Sequence, residues 1–338
     1  MSSKPHHASN GRFVNPWPGG QIKGFADLLR WVLVERLRNP PPPDPDPASL
    51  PRTRPNLGKA QGDGQLAATW LGHSTVLLEI AGKTILTDPV WSDRASPFTS
   101  LGPKRWVPPQ LPLASLPKLD LILLSHNHYD HCDRPTIEWL AAHQPEAPWV
   151  CPLKLSPLLK QFGVRQVQEL DWWDEATVGG IKVTATPAQH FSSRNFWDRT
   201  KTLWCGYTIE FGNRRTYFAG DTAYHPEFGL LGERLGPFDL ILMPIGAYEP
   251  RWFMMAVHCN PEDALAAVKD VTASHPGLPM PGVVPIHWGT YKLTDEPMDE
   301  PPRRFTELWR KAGFAPDRLW LLAQGESRLM GGSGEGGN

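Results

Sequence analysis

The chain has 338 residues, of which 40% are hydrophobic and 20% charged. That balance can bury a sizeable core in one large domain or two ordinary ones, and it excludes a largely disordered chain or a disulfide miniprotein. The formal net charge of −1 argues against a nucleic-acid partner, which selects for a basic excess.

Four widely spaced cysteines, Cys132, Cys151, Cys205 and Cys259, form no CxxC pair and read as free thiols of a reducing compartment. The opening MSSKPHHASNGRF lacks the apolar core of a secretory signal. No run of about 18 apolar residues is present, so no spanning helix is expected. The expectation is an α/β protein in the cytoplasm.

Residues 1–23 are polar and rich in Gly and Pro and read as an extended arm. In 24–38, Phe25, Leu28, Leu29, Val32, Leu33 and Leu37 recur at helical spacing. This helix has two readings. Its apolar face packs on the rest of the protein, or it meets a membrane with Trp17 and Trp31 at the interface, where Trp satisfies both its ring and its N–H. Residues 39–60 read as a stiff linker, because six of residues 40–47 are proline and no helix continues through them.

A catalytic domain is expected over 61–332, with a disordered tail at 333–338. Short strands begin at LAATWL (66–71), TVLLEI (75–80) and KTILTDP (83–89), with Ala81-Gly82 as a hairpin turn. KLDLILLSH (118–126) reads as a strand buried on both faces. A helix follows from Asp133, a suitable N-cap with Pro135 in the first turn. IKVTATP, LWCGYTIEF, RTYFAGD, FDLILMPIG and GVVPIHW continue the strands. Helices are expected at 153–162, 226–235, 261–271 and 302–312, the third opened by an Asn260 cap with Pro261 at its first position. Strands with interspersed helices predict two sheets flanked by helices.

The segment Ser125-His126-Asn127-His128-Tyr129-Asp130-His131 follows the buried strand directly. His126 and His128 are two apart, so an extended backbone points them the same way. Asp130 and His131 fall where the chain turns toward a helix. Imidazole is the commonest metal ligand, and three His with one Asp in six residues form a candidate metal cluster. His190, Asp221 and His287 sit at later strand ends. Singly, each also reads as a structural histidine or a turn aspartate; together they complete the ligands of a two-metal site.

These motifs lie within longer strings: FVNPWPG (13–19), TWLGHSTVLLEI, LTDPVWSDRASPF, GPKRW (102–106), SHNHYDH, ELDWW (169–173), FAGDTAY, GPFDLILMPIGAYEPRWFM and GESR (325–328). Over about residues 13–330 the chain resembles the N-acyl-phosphatidylethanolamine-hydrolysing phospholipase D family of the metallo-β-lactamase superfamily. The resemblance implies an αβ/βα sandwich, here with an N-terminal arm and helix, and two metals per subunit. His126, His128 and His190 would hold one metal, Asp130, His131 and His287 the other, and Asp221 would bridge them. Zn²⁺ is the default for this donor set, and Mn²⁺ or Fe²⁺ also fit it.

The implied reaction is phosphodiester hydrolysis of N-acyl-phosphatidylethanolamine to N-acylethanolamine and phosphatidic acid, through a metal-bridging hydroxide that attacks phosphorus. Asp130, Asp221 and His258 are the candidate catalytic residues. Tyr129, His258 and His73 are candidate substrate contacts, with His73 equally a partner of a metal ligand. Lys104 and Arg105 read as phosphate contacts or solvated charges. His6, His7, His143, His225 and His275 carry no motif. The phospholipid substrate would bring the protein to the inner membrane surface as a peripheral enzyme, and the resemblance also implies a homodimer. The alternative is a hydrolase of a small-molecule lactone or phosphate ester on the same fold. The absent signal argues against a β-lactamase proper, and the filled ligand positions argue against a non-catalytic binding module.

Overall fold

A computed structural model describes residues 4–195 and 197–331; the expected tail at 333–338 lies outside them. The strands are β1 (Leu66–Gly72), β2 (Thr75–Ile80), β3 (Lys83–Thr87), β4 (Leu121–Leu123), β5 (Trp149–Pro152), β6 (Val167–Leu170), β7 (Glu175–Val178), β8 (Ile181–Thr186), β9 (Gly206–Phe211), β10 (Arg214–Phe218), β11 (Leu240–Pro244), β12 (Gly282–Ile286) and β13 (Ser327–Met330). They form a seven-stranded sheet in the order β13-β1-β2-β3-β4-β5-β6 and a six-stranded sheet in the order β12-β11-β10-β9-β8-β7. Both sheets are mixed. β3 to β6 run parallel, as do β10 to β12, while the remaining neighbours are antiparallel.

One apolar cluster joins the sheets. It takes Leu66, Ala68, Trp70, Leu121 and Leu123 from the first and Val183, Ala185, Tyr207, Ile209, Leu240 and Val284 from the second. Ile122 and Leu124 fall instead in a second cluster with Ile137, Leu140 and Ala141. Period-2 alternation along the apolar run therefore feeds two cores, one between the sheets and one beneath the helix Arg134–His143. This is the expected two-sided burial, on a strand shorter than the apolar run. Regular pairing ends at Leu123, and the chain leaves the ladder just before Ser125.

Helix starts follow local chemistry. Asn260 Oδ1 accepts the amide of Asp263, and Pro261 opens the helix Pro261–Ala273. Asp133 begins the helix Arg134–His143 without a side-chain bond to that helix's amides. Its carboxylate instead accepts from the Trp91 and Ser92 amides and the Ser92 and Thr136 hydroxyls, so it ties the loop after β3 to the helix.

The arm folds back onto the sandwich. Phe13 is buried in the main core. Asp171 accepts from Lys4, His6 and His7 at 2.6–2.9 Å. The N-terminal helix runs through Phe25–Arg30, a π-helical turn Trp31–Glu35, and Arg36–Arg38. Only Trp31 of this helix is buried, with its Nε1 donating to Asp295 and its ring near Phe253. The helix does not pack as core, because its aliphatic residues face outward. Trp17 is also held by protein. It stacks 4.4 Å from His225 and 5.5 Å from Trp172, and its N–H donates to Glu227.

Candidate metal centre

The candidate ligands gather where strands end at one rim of the sandwich. The loop after β4 carries His126, His128, Asp130 and His131. His190 follows β8, Asp221 follows β10, and His287 follows β12 directly. Parallel strands present their carboxyl ends together, which is where open α/β sheets build sites. Two glycines allow the close approach. A Cβ on Gly220 (φ +61°) would lie 2.8 Å from that of Ser125, and one on Gly246 would lie 2.1 Å from the His287 carbonyl oxygen. His73 and His287, with φ of 54° and 63°, hold the left-handed backbone conformation that non-glycine residues seldom adopt.

Asp221 occupies the centre. Its Oδ2 lies 3.0 Å from His287 Nε2, 3.1 Å from His131 Nε2, 3.8 Å from His190 Nε2 and 4.0 Å from both His126 Nε2 and His258 Nδ1. Asp130 Oδ2 lies 2.8 Å from His73, 3.4 Å from His131 and 3.6 Å from His287. On the other side, His128 Nδ1 lies 2.8 Å from His126 Nε2 and 3.2 Å from His190 Nε2. His73 thus meets the Asp130 carboxylate. His258 belongs to the cluster, its ring 4.9 Å from that of His190 and 5.1 Å from that of His287. Tyr129 does not turn into it: its hydroxyl donates to the Arg194 carbonyl, and the Arg194 guanidinium sits 3.9 Å over its ring.

The outer nitrogens of three rings are spoken for. His190 Nδ1 donates to the Val257 carbonyl at 2.7 Å. His131 Nδ1 lies 2.7 Å from Asp88 Oδ2. Ser125 Oγ donates to the same carboxylate at 2.6 Å and accepts from His126 Nδ1 at 2.9 Å. With Nδ1 protonated in each case, the Nε2 lone pairs of His126 and His190 turn toward the ring of His128. Buried lone pairs do not face one another without a cation or a shared proton. Asp221 Oδ1, His131 Nε2, His287 Nε2 and His258 Nδ1 are likewise buried without an aligned hydrogen-bond partner. The donor set therefore fits metal ions, as two adjoining groups: His126, His128 and His190, and His73, Asp130, His131 and His287.

Electrostatics divide the rings. Burial, together with neighbouring histidines, pushes His128 down to about 3 and His126 well below the usual range. Burial also lowers His190 to about 4 against the pull of Asp221, so these three are neutral at pH 7. Burial opposes charge on His287 too, but Asp221 and Asp130 outweigh it and raise the ring to about 9. His131 is raised well above its usual value, again against burial, by Asp221, Asp130 and Asp88.

The structure gives Asp88 a role that the sequence did not show, and gives Arg105 a different one from those expected. Asp88 sits in LTDP, but a carboxylate just past a strand end gives no local sign that it will meet His131. Arg105 was expected to be solvated or to touch phosphate. It is buried instead, donating to the Val90 and Ser92 carbonyls and the Tyr291 hydroxyl, and so braces the loop after β3. Lys104 is exposed.

This sandwich, with its histidines and aspartates at the strand ends, defines a class. A β-lactamase superfamily domain profile matches residues 83–288, and the chain belongs to the metallo-β-lactamase superfamily, as a metal-dependent hydrolase. A solved metallo hydrolase from Ignicoccus hospitalis superposes with a TM-score of 0.59 at 25% identity, over 79% of this chain and 99% of that one. Within the superfamily the chain falls in the N-acyl-phosphatidylethanolamine-hydrolysing phospholipase D family. It is 40% identical to phospholipase D 1 of that specificity from Caenorhabditis elegans, over 88% of this chain and 87% of the relative. The mitochondrial counterpart from Saccharomyces cerevisiae is 36% identical over 78% of this chain, which spans 55% of that relative. An uncharacterised Mycobacterium tuberculosis protein is 42% identical over 90% of this chain and 80% of its own length.

Proposed function

We propose that the protein is a phosphodiesterase of the phospholipase D type, which hydrolyses N-acyl-phosphatidylethanolamine to phosphatidic acid and N-acylethanolamine. The observation that carries this reading is the seven-residue cluster of His126, His128, Asp130, His131, His190, Asp221 and His287, in a chain 40% identical to a worm enzyme of that name. In this reading His126, His128 and His190 would hold one Zn²⁺, Asp130, His131 and His287 would hold the other, and Asp221 would serve both.

Such a pair of cations supplies a water nucleophile ionised near neutral pH and offsets phosphate charge. The protein's own residues do the rest. Ser125, Asp88 and the Val257 carbonyl hold imidazoles in the tautomer that leaves a lone pair inward. His73 holds Asp130. His258, at the edge of the cluster, is kept neutral by burial and would meet the substrate as a hydrogen-bonding partner, while the departing alkoxide takes its proton from water. The walls exclude bulk water: Trp288 follows His287 and stacks 4.8 Å from Trp70, whose N–H donates to the His73 carbonyl.

The bilayer is the proposed source of the substrate, with the N-terminal helix as the contact. Phe25, Leu28, Leu29, Val32, Leu33 and Leu37 are exposed on it, Leu37 at 81%. Arg38 on the same helix suits anionic headgroups, while Arg30 pairs with Glu35. Trp31 anchors the helix against Phe253, in the segment that leads to His258. No helix among the described residues is long and apolar enough to cross a membrane. The test is phosphatidic acid release from N-acyl-phosphatidylethanolamine vesicles, compared with the opening of simple lactones. Lactone opening without lipid turnover at saturating Zn²⁺ would reject the proposal.

A further inference from the structure

We infer that Asn15, in the N-terminal arm, is a positioning residue for His190; the inference rests on the proposal that His190 holds a metal. The two residues are 175 apart in sequence. The Asn15 carboxamide pairs with the backbone of His190 on both sides. Its Nδ2 donates to the His190 carbonyl at 3.0 Å, and its Oδ1 accepts the His190 amide at 3.2 Å. The same Nδ2 donates to the Gly20 carbonyl at 3.0 Å. One planar amide thus closes the loop 15–20 and grips the ligand's backbone as a neighbouring strand would.

The grip is built from several sides. The Gly20 amide donates to the Trp17 carbonyl. A Cβ on Gly20 would lie 2.6 Å from the Asn15 Cβ, so only glycine leaves the carboxamide its place. Trp17 is clamped by His225 and Glu227, and Phe13 is bonded through its amide to the Thr200 carbonyl. From the far side, the Gln189 amide donates to Thr222 Oγ1 and the His190 ring to Val257. With backbone and Nδ1 both held, Nε2 of His190 has one direction left, toward His128. Asp would keep one acceptor but lose both donated bonds and set a carboxylate against two carbonyls, so the amide itself is required.

The experiment strips metal from the full chain and its Asn15→Ala and Gly20→Ala variants. Zn²⁺ is then titrated against a chromogenic chelator, and apo-protein melting is recorded in parallel. Both variants are expected to weaken one of the two zinc sites about 10–100-fold, the usual cost of removing a partner that orients a ligand. The second site should stay at wild-type affinity, and excess Zn²⁺ should restore kcat. Lys4→Met removes the arm's ion pairs with Asp171 and Asp174 but none of the bonds of the Asn15 carboxamide, and should leave both affinities unchanged. Unchanged affinities in Asn15→Ala overturn the inference. So does a fall of both sites together with apo-protein melting, or the same single-site loss in Lys4→Met. If the wild type binds no zinc, the metal reading itself fails, which separates the two outcomes.

Discussion

Asp88 Oδ2 sits 2.7 Å from His131 Nδ1 and 2.6 Å from Ser125 Oγ, and Ser125 Oγ lies 2.9 Å from His126 Nδ1. A single carboxylate therefore sets the tautomers of two histidines that belong to the two halves of the proposed centre. Asp88 itself adopts φ 33°, a strained conformation that the surrounding bonds must maintain.

Asp88→Asn keeps the shape but has one acceptor oxygen, so it cannot take the Ser125 amide on one side and His131 with the Ser125 hydroxyl on the other. Metal affinity or kcat/KM should fall roughly 10–100-fold. Metal content by elemental analysis and steady-state kinetics check this, with circular dichroism expected to match the wild type.

Asp130→Asn removes a carboxylate that meets His73, His131 and His287. Turnover should fall by at least about 100-fold, as expected when several kcal/mol of charge stabilisation are lost. The fold should persist, because Asp130 lies on the site loop and outside both apolar clusters. Initial rates on vesicles and on a short-chain soluble diester provide the measurement.

Leu33→Glu with Leu37→Glu places two charges on the exposed face of the N-terminal helix. Sedimentation with anionic vesicles should drop severalfold, while hydrolysis of a short-chain soluble diester stays within about twofold, since surface changes of this kind rarely exceed 0.5 kcal/mol in stability. Equal vesicle binding by wild type and variant would move the membrane contact elsewhere.

Asp171 holds the arm through Lys4, His6 and His7. Burial alone would raise its carboxyl, but hydrogen bonds from His6 and Lys4 outweigh that and hold it below the usual range. A carboxyl depressed in the folded state stabilises fully above its unfolded value of about 3.9 and loses that contribution as pH falls through the folded value. Asp171→Asn should therefore melt about 1–2 °C lower at pH 7, for roughly 1 kcal/mol lost. The gap to wild type should close in strong acid, as a pH series of thermal scans would record.

The first four residues of the candidate metal cluster, His126, His128, Asp130 and His131, were legible because their spacing is local. His126 and His128, two apart at a strand end, must point together, and the one-sided chemistry of the motif stands out against an apolar strand. The roles of Asp88, Arg105 and Asn15 were not legible, because each depends on a partner brought close only by the folded sheets. Helix periodicity located residues 25–38 but could not say what the apolar face meets. Only the sandwich shows that Trp31 alone turns inward. Several of the 15 tryptophans resolve into packing, with Trp70 on Trp288 and Trp172 donating to the Trp204 carbonyl, while Trp197 is exposed.

In the proposed reaction this cluster, loaded with metal, cleaves the phosphodiester on the alkoxide side of N-acylethanolamine. Mass spectrometry of products formed in ¹⁸O-water, with zinc-stripped and zinc-reloaded protein, tests it most directly. Phosphatidic acid should carry one ¹⁸O, N-acylethanolamine should be unlabelled, and activity should disappear on stripping and return on reloading. Label in the N-acylethanolamine, or undiminished turnover by metal-free protein, would contradict it.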